Sequence, residues 1–220
     1  MSSTPQLILF DCDGTLTDSH GLIVSAMQQA FSLAGLQPPS ERQVSAIIGM
    51  SLHSAVLALL NGRAEMLEQV IDGYRDSYRD SESQVSLFPH VSETLGALRE
   101  RGYWLGVVTG KSHPGLLRVL DTFELAGHFL VLRTADCTHS KPHPAMVLEC
   151  MSEMGVESDQ AVVVGDALFD VQMANAANVR SIGVSFGVAA GSELMAAGAQ
   201  AVVDNFAELL EYFPPLHSQL

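Results

Sequence analysis

A chain of 220 residues with 47% apolar and 16% charged content buries a large core, which excludes disorder and leaves room for one domain carrying an insert. Acidic side chains outnumber basic ones 25 to 11, and the resulting charge of −14 repels nucleic acid, anionic membranes and phosphorylated metabolites alike. A phosphate site here therefore requires local cations, from side chains or from a bound metal.

In chain order, LILF (7–10) has the length and apolar content of a buried strand, and it runs into Asp11, Cys12, Asp13 and Gly14. Ile23, Met27, Ala30, Phe31 and Ala34 share one helical face, with Gly35 as the stop. Ser40 with Gln43 forms a capping box for a second helix, and SLHSAVLALL and RAEMLEQVIDGYRDSYRD read as two more. No strand is expected in 17–82. That segment is read as an all-helical cap inserted into a core of 1–16 and 83–220. Val91, Leu95 and Leu98 predict a helix ending at Gly102, and WLGVV (104–108) a strand ending at Thr109 and Gly110. FLVLR (129–133) is followed, after a loop, by Lys141-Pro142, and Val147, Met151 and Met154 predict a helix ending at Gly155. AVVVG (161–165) runs into Asp166, with Asp170 four residues on, and SIGV (181–184) and AVV (201–203) complete the set. Strands alternating with helices predict an α/β fold with a mostly parallel sheet.

Ligands of open parallel sheets bind at the C-terminal ends of the strands. Four strands deliver Asp11 and Asp13, Thr109 and Gly110, Lys141, and Asp166 with Asp170 to that edge. In an extended segment residues i and i+2 face the same way, about 6.5–7 Å apart, so Asp11 and Asp13 can flank one bound group as nucleophile and acid/base partner. Two like unit charges 4 Å apart repel by roughly 4 kcal/mol at an effective dielectric of 20, so bringing a dianionic phosphate to a carboxylate is costly. A Mg²⁺ held by Asp11 and Asp166, with the Lys141 ammonium, reverses that sign. Amides near Cys12 and Gly110 and the Thr109 hydroxyl can hold the transferring oxygens.

Other features read as structural. Cys12, Cys137 and Cys150 are odd in number without CxxC spacing, against a disulfide framework or a zinc site, and Cys12 is expected to be a buried thiol. GVVTGKS leaves three residues between Gly106 and Gly110, one too few for a P-loop. His113, His139 and His143 are read as exposed polar residues near the edge. No apolar run reaches bilayer length, and MSSTPQ has no basic region, so neither a membrane partner nor a signal peptide is expected, and the expected compartment is the cytoplasm.

FDCDGTLTDS, VVTGKS, SKPHP and VVVGDALFD together resemble the four motifs of the haloacid dehalogenase superfamily, in order and across almost the whole chain. The resemblance implies a Rossmann-like three-layer core with a helical cap and Mg²⁺-dependent phosphoryl transfer through an aspartyl-phosphate. By position it makes Asp11 the nucleophile and Asp13 the acid/base, whose backbone carbonyl also helps bind the metal. Thr109 and Gly110 hold the phosphoryl group, Lys141 neutralises charge, Asp166 is a metal ligand, and Asp170 supports the metal site or Lys141. Asp13 favours phosphate over halide chemistry, because the dehalogenases lack it. The absence of lysine from 17–82 rules out a cap Schiff base. The overall likeness is to phosphoglycolate phosphatase-like enzymes acting on a small phosphorylated metabolite, with a β-phosphoglucomutase-type mutase as the alternative. A protein that binds but hydrolyses nothing is a third reading. Two departures from the phosphoglycolate phosphatase pattern are Pro89-His90, where Pro-Gly is usual, and Ala177-Asn178, where Ala-Gly is usual. The loop IIGMSLH (47–53) is the expected substrate contact from the cap.

Overall fold

The structure, a computed structural model, describes residues 6–216. The expectation of no signal peptide falls largely on residues 1–5, outside the described part. Among the described residues, eight strands and ten α-helices follow in order: β1 (Leu7–Phe10), β2 (Thr17–Asp18), α1 (His20–Leu33), α2 (Glu41–Ser45), α3 (Leu52–Leu59), α4 (Leu67–Ser81), β3 (Ser86–Leu87), α5 (Val91–Glu100), β4 (Trp104–Thr109), α6 (His113–Thr122), β5 (Val131–Thr134), α7 (Ala145–Met154), β6 (Ala161–Gly165), α8 (Leu168–Ala176), β7 (Arg180–Val184), α9 (Gly191–Ala197), β8 (Ala201–Val203) and α10 (Leu209–Tyr212). No helix among the described residues is long and apolar enough to cross a membrane.

Six strands form one parallel sheet in the order β5-β4-β1-β6-β7-β8. Strands covered on both faces need apolar side chains at every position, which is why LILF and AVVVG are continuous runs. Alternate residues serve opposite layers. Ile8 and Phe10 pack with Leu95, Leu98, Leu116 and Leu120 on one side, and Leu7 and Leu9 pack with Met146, Val147 and Met173 on the other. Cys12 is fully buried in the first layer, as expected, and burial drives its thiol well above the ordinary range. The chain runs from β1 outward to β4 and β5, then returns to β6 and builds β7 and β8 in the opposite direction. The order therefore reverses between β1 and β6, where a crevice opens at the strand ends.

Helices α1–α4 lie between β2 and β3. Ile23, Met27, Ala30 and Phe31 of α1 pack against Val70, Ile71 and Tyr78 of α4, with Val44, Val56 and Leu60 closing a core of their own. Gly73 of α4 makes the close approach, since a Cβ there would lie 3.4 Å from the Ala30 Cα. The capping box of α2 is present: Gln43 N donates to Ser40 Oγ at 3.3 Å, and Ser40 N donates to Gln43 Oε1 at 2.9 Å.

Two details differ from expectation, and a third bears on the two departures from the family pattern. Residues 17–82 do contain a strand, because Thr17 and Asp18 pair antiparallel with Leu87 and Ser86 and bind the two ends of the helical segment together. Strand β5 starts at Val131 and runs to Thr134, not over 129–133. Its register with β4 begins at Gly106 opposite Val131, which leaves Leu130 outside the ladder and 59% exposed. Third, the two departures from glycine both fall at left-handed backbone, His90 at φ 68° and Asn178 at φ 56°. Asparagine and histidine are both enriched there among non-glycine residues, yet each carries more strain than the glycine it replaces.

Candidate active site

The site lies where β1, β4 and β6 end. Asp11 continues the β1 ladder, its N–H donating to Val164 O at 2.9 Å, and is 1% exposed. The Cys12 N–H donates to Asp11 Oδ1 at 2.7 Å. Gly14 then turns at φ 85°, and a Cβ there would stand 2.1 Å from Asp166 Oδ2, so only glycine lets this turn meet the β6 carboxylate. Asp166 is held by two donors, Thr15 Oγ1 at 2.8 Å and the Val188 N–H at 2.9 Å.

Lys141, on the loop between β5 and α7, is fully buried. Its Nζ lies 2.8 Å from Asp11 Oδ1 and 2.6 Å from Asp170 Oδ1. Asp170 also accepts from the Ala167 N–H at 3.0 Å, so it caps the first turn of α8 and fixes the lysine at once. Oxygens of Asp11, Asp166 and Asp170 lie within 4.8 Å of one another. Three buried carboxylates thus face one ammonium. Burial, reinforced by the neighbouring carboxylates, pushes Asp11 up despite Lys141, and burial with Asp170 raises Asp166 to about 7. Against the cost of burial, Asp11 and Asp170 hold the Lys141 ammonium well above its usual range. This donor set fits a hard divalent cation: it is all oxygen, it is desolvated, and its negative charge exceeds what Lys141 neutralises.

Asp11, Asp13, Thr109 and Gly110 line one cavity of about 520 Å³. The Asp13 side chain does not join the carboxylate cluster. It accepts from Lys111 Nζ at 2.8 and 2.9 Å and from Ser19 Oγ at 2.6 Å. Lys111 also donates to the Tyr78 hydroxyl of α4 at 3.0 Å, so one buried ammonium ties the acid to the helical segment. Despite burial, Asp13 holds that ammonium well above its ordinary range. The sequence pattern did not single out Lys111, Ser19, Thr15 or Tyr78. Lys111 was findable, because it is the lysine of VVTGKS, two residues beyond the Thr109 that ends β4.

The segment 47–53 reaches over this edge; residues 47–51 form the expected loop, whereas Leu52 and His53 open α3, which Ser51 caps. A Cβ on Gly110 would meet Met50 O at 2.3 Å and Gly49 O at 2.7 Å, and one on Gly49 would meet Ala167 and Phe169 at 3.4 Å. The loop therefore touches the ends of both β4 and β6. His113, His139 and His143 do not line the cavity; His139 and His143 stack on each other at 4.6 Å, and the His113 N–H binds Asp136 Oδ1 at 2.8 Å.

Comparison with known proteins agrees with this arrangement. The model of the haloacid dehalogenase-like hydrolases matches residues 8–184. The chain is 33% identical over 210 residues to "Probable phosphatase IndB" of Dickeya dadantii, covering 93% of this chain and 91% of that protein. It is 31% identical over 210 residues to a phosphoglycolate phosphatase of Photorhabdus laumondii, covering 92% and 90%. A crystal structure of a predicted phosphatase from Clostridium acetobutylicum superposes with a TM-score of 0.85 at 28% identity, covering 95% of this chain and 98% of that one. With four strand-end motifs gathered at one crevice and a family match spanning most of its length, the chain belongs to the haloacid dehalogenase-like hydrolases.

Proposed function

We propose that the chain is a Mg²⁺-dependent phosphatase that hydrolyses a phosphomonoester through an aspartyl-phosphate on Asp11. The observation that carries this reading is the buried contact of Lys141 with Asp11 at 2.8 Å, beside Asp166 and Asp170, where Asp11 also lines the cavity that Thr109 and Gly110 line. An Asp11 oxygen attacks phosphorus, and the ester oxygen leaves with a proton from Asp13. Water then attacks the acyl-phosphate with Asp13 as base, which releases phosphate and regenerates Asp11. The Thr109 hydroxyl and the Gly110 N–H hold phosphoryl oxygens, and Lys141 offsets their charge. Asp11, Asp166 and the Asp13 carbonyl would hold Mg²⁺, which supplies further charge neutralisation at the phosphoryl group. Asp170 keeps Lys141 aimed at Asp11. Helices α1–α4 act as a cap, and the 47–53 loop closes the site against water.

The test is phosphate release from p-nitrophenyl phosphate and a metabolite panel with Mg²⁺. Asp11→Asn should lose at least roughly three orders of magnitude in kcat. Undiminished turnover in that variant, or in excess EDTA, would falsify this mechanism.

A further inference from the structure

The cavity over Asp11 is much larger than phosphoryl transfer alone requires. Its volume of about 520 Å³ falls within the roughly 300–1,000 Å³ of pockets that hold drug-sized ligands. The phosphoryl end is polar, whereas the wall facing it from the helical segment is largely apolar. Ile23 and Met27 of α1, Ile47, Ile48 and Leu52, and Tyr74 of α4 line that side, with Ser51, His53 and Tyr78 among its polar members.

The cations of the cavity are engaged elsewhere. Four lysine and arginine side chains line it, Arg75, Arg79, Lys111 and Arg118. Lys111 is closed on both oxygens of Asp13 at 2.8 and 2.9 Å. Arg118 pairs with Glu82 at 2.9 Å. Arg75 and Arg79 face Asp72 and Asp76 on their own helix at 3.4 and 3.8 Å, with side chains 57% and 64% exposed, so they stand at the solvent rim. A leaving group bearing a carboxylate would have to break the Lys111–Asp13 contact or reach outward to that rim. An uncharged, apolar one would rest on the wall that is already there.

We propose that the physiological substrate carries a bulky, uncharged and largely apolar alcohol as its leaving group, seated on Ile47, Ile48, Leu52 and Tyr74, and not a two-carbon acid. This rests on the phosphatase reading and narrows its substrate class. The alcohol exceeds the size of the small acid named in several relatives, and the apolar wall of the cap sets the preference.

The experiment compares kcat/KM for cyclohexylmethyl phosphate, ethyl phosphate and phosphoglycolate, with p-nitrophenyl phosphate as a reference for turnover. The first two leave alcohols of similar acidity, so their ratio reports the pocket and not the chemistry. The expected result is at least a tenfold preference for cyclohexylmethyl phosphate over both others, reduced about tenfold in Leu52→Ala. A phosphoglycolate rate equal to or above that of cyclohexylmethyl phosphate overturns this inference and leaves the phosphatase reading standing. It is likewise overturned if Arg75→Ala or Arg79→Ala raises KM for phosphoglycolate alone while that substrate is preferred. No phosphate release from any compound, p-nitrophenyl phosphate included, overturns the phosphatase reading and this inference together.

Discussion

Gly110→Ala probes whether the 47–53 loop must rest on the end of β4 during turnover. The backbone of Gly110 lies in a region open to alanine, and its N–H is retained, so the proposed phosphoryl contact survives the change. The new methyl would stand 2.3 Å from Met50 O and 2.7 Å from Gly49 O, where ordinary contacts begin at 3.4 Å, so the loop must withdraw by about 1 Å. Both obstacles are backbone atoms and cannot rotate aside. Overpacking of this kind costs about 1–3 kcal/mol, which divides the population of the closed arrangement by roughly 5 to 160. Because α1–α4 have a core of their own, the penalty is relieved by opening the site and not by unfolding. The expected outcome is a 5- to 160-fold loss in kcat/KM, with a melting temperature within about 4 °C of the parent. Steady-state kinetics and calorimetry on the same sample check both halves. A folded variant with kcat/KM within twofold of the parent would show that the loop need not sit on Gly110 for catalysis.

Three further outcomes are expected. Lys141→Met leaves Asp11 and Asp170 without their shared ammonium, and breaking a buried pair costs about 3–5 kcal/mol, so in EDTA the melting temperature should drop by roughly 6–20 °C; no shift would mean the pair adds nothing. In the metal-free protein Asp166 is raised to about 7 by burial and Asp170, so the folded state holds that proton more tightly than the unfolded chain. Its stabilisation is complete below about 4 and is lost as pH rises through 7. His128 acts in the opposite sense, since burial lowers it, and Asp11 acts in the same sense as Asp166, since burial raises it too, so the pH 5.5-to-8 decline in melting temperature is read against Asp166→Asn, which should make it shallower. Millimolar Mg²⁺ at pH 8 should recover the loss, by about 2.7 kcal/mol at a hundredfold excess over Kd. His90→Gly relieves a left-handed backbone at φ 68° and should stabilise by about 1 kcal/mol, a rise of about 2–4 °C in calorimetry; a fall would place the histidine in a contact worth more than the strain.

The core strands were legible because burial on both faces leaves no polar position, and that pattern survives in the letters of LILF and AVVVG. The helices of the inserted segment were legible from their 3.6-residue spacing and from Ser40 and Gln43. The Thr17–Asp18 pairing with Ser86–Leu87 was not, since two residues carry no periodicity and their partners lie almost seventy positions apart. The start of β5 was missed for a related reason, because register with β4 decides it and Phe129-Leu130 look as strand-like as Val131-Leu132. At the site, each acid could be located from the strand it terminates, but its partner could not. That Asp170 holds Lys141, and that Lys111 turns to Asp13, depends on which strand ends become neighbours, and this is fixed by sheet order. Tyr78 left no trace at all. A tyrosine on an amphipathic helix reads as core, and Tyr78 is core, but its hydroxyl also meets Lys111 beyond the end of β4.

Strand β1 is synthesised well before the neighbours that pin it. Its partners on either side, β4 and β6, follow about a hundred and a hundred and fifty residues later. The ammonium of Lys141 follows Asp11 by 130 residues, and the carboxylates of Asp166 and Asp170 follow by more than 150, so the cluster is assembled entirely from distant parts of the chain. The cut most informative about assembly lies between Asp136 and Ser140, where a nick would part Asp11 and Thr109 from Lys141 and Asp166, and turnover could return only through reunion of the two halves.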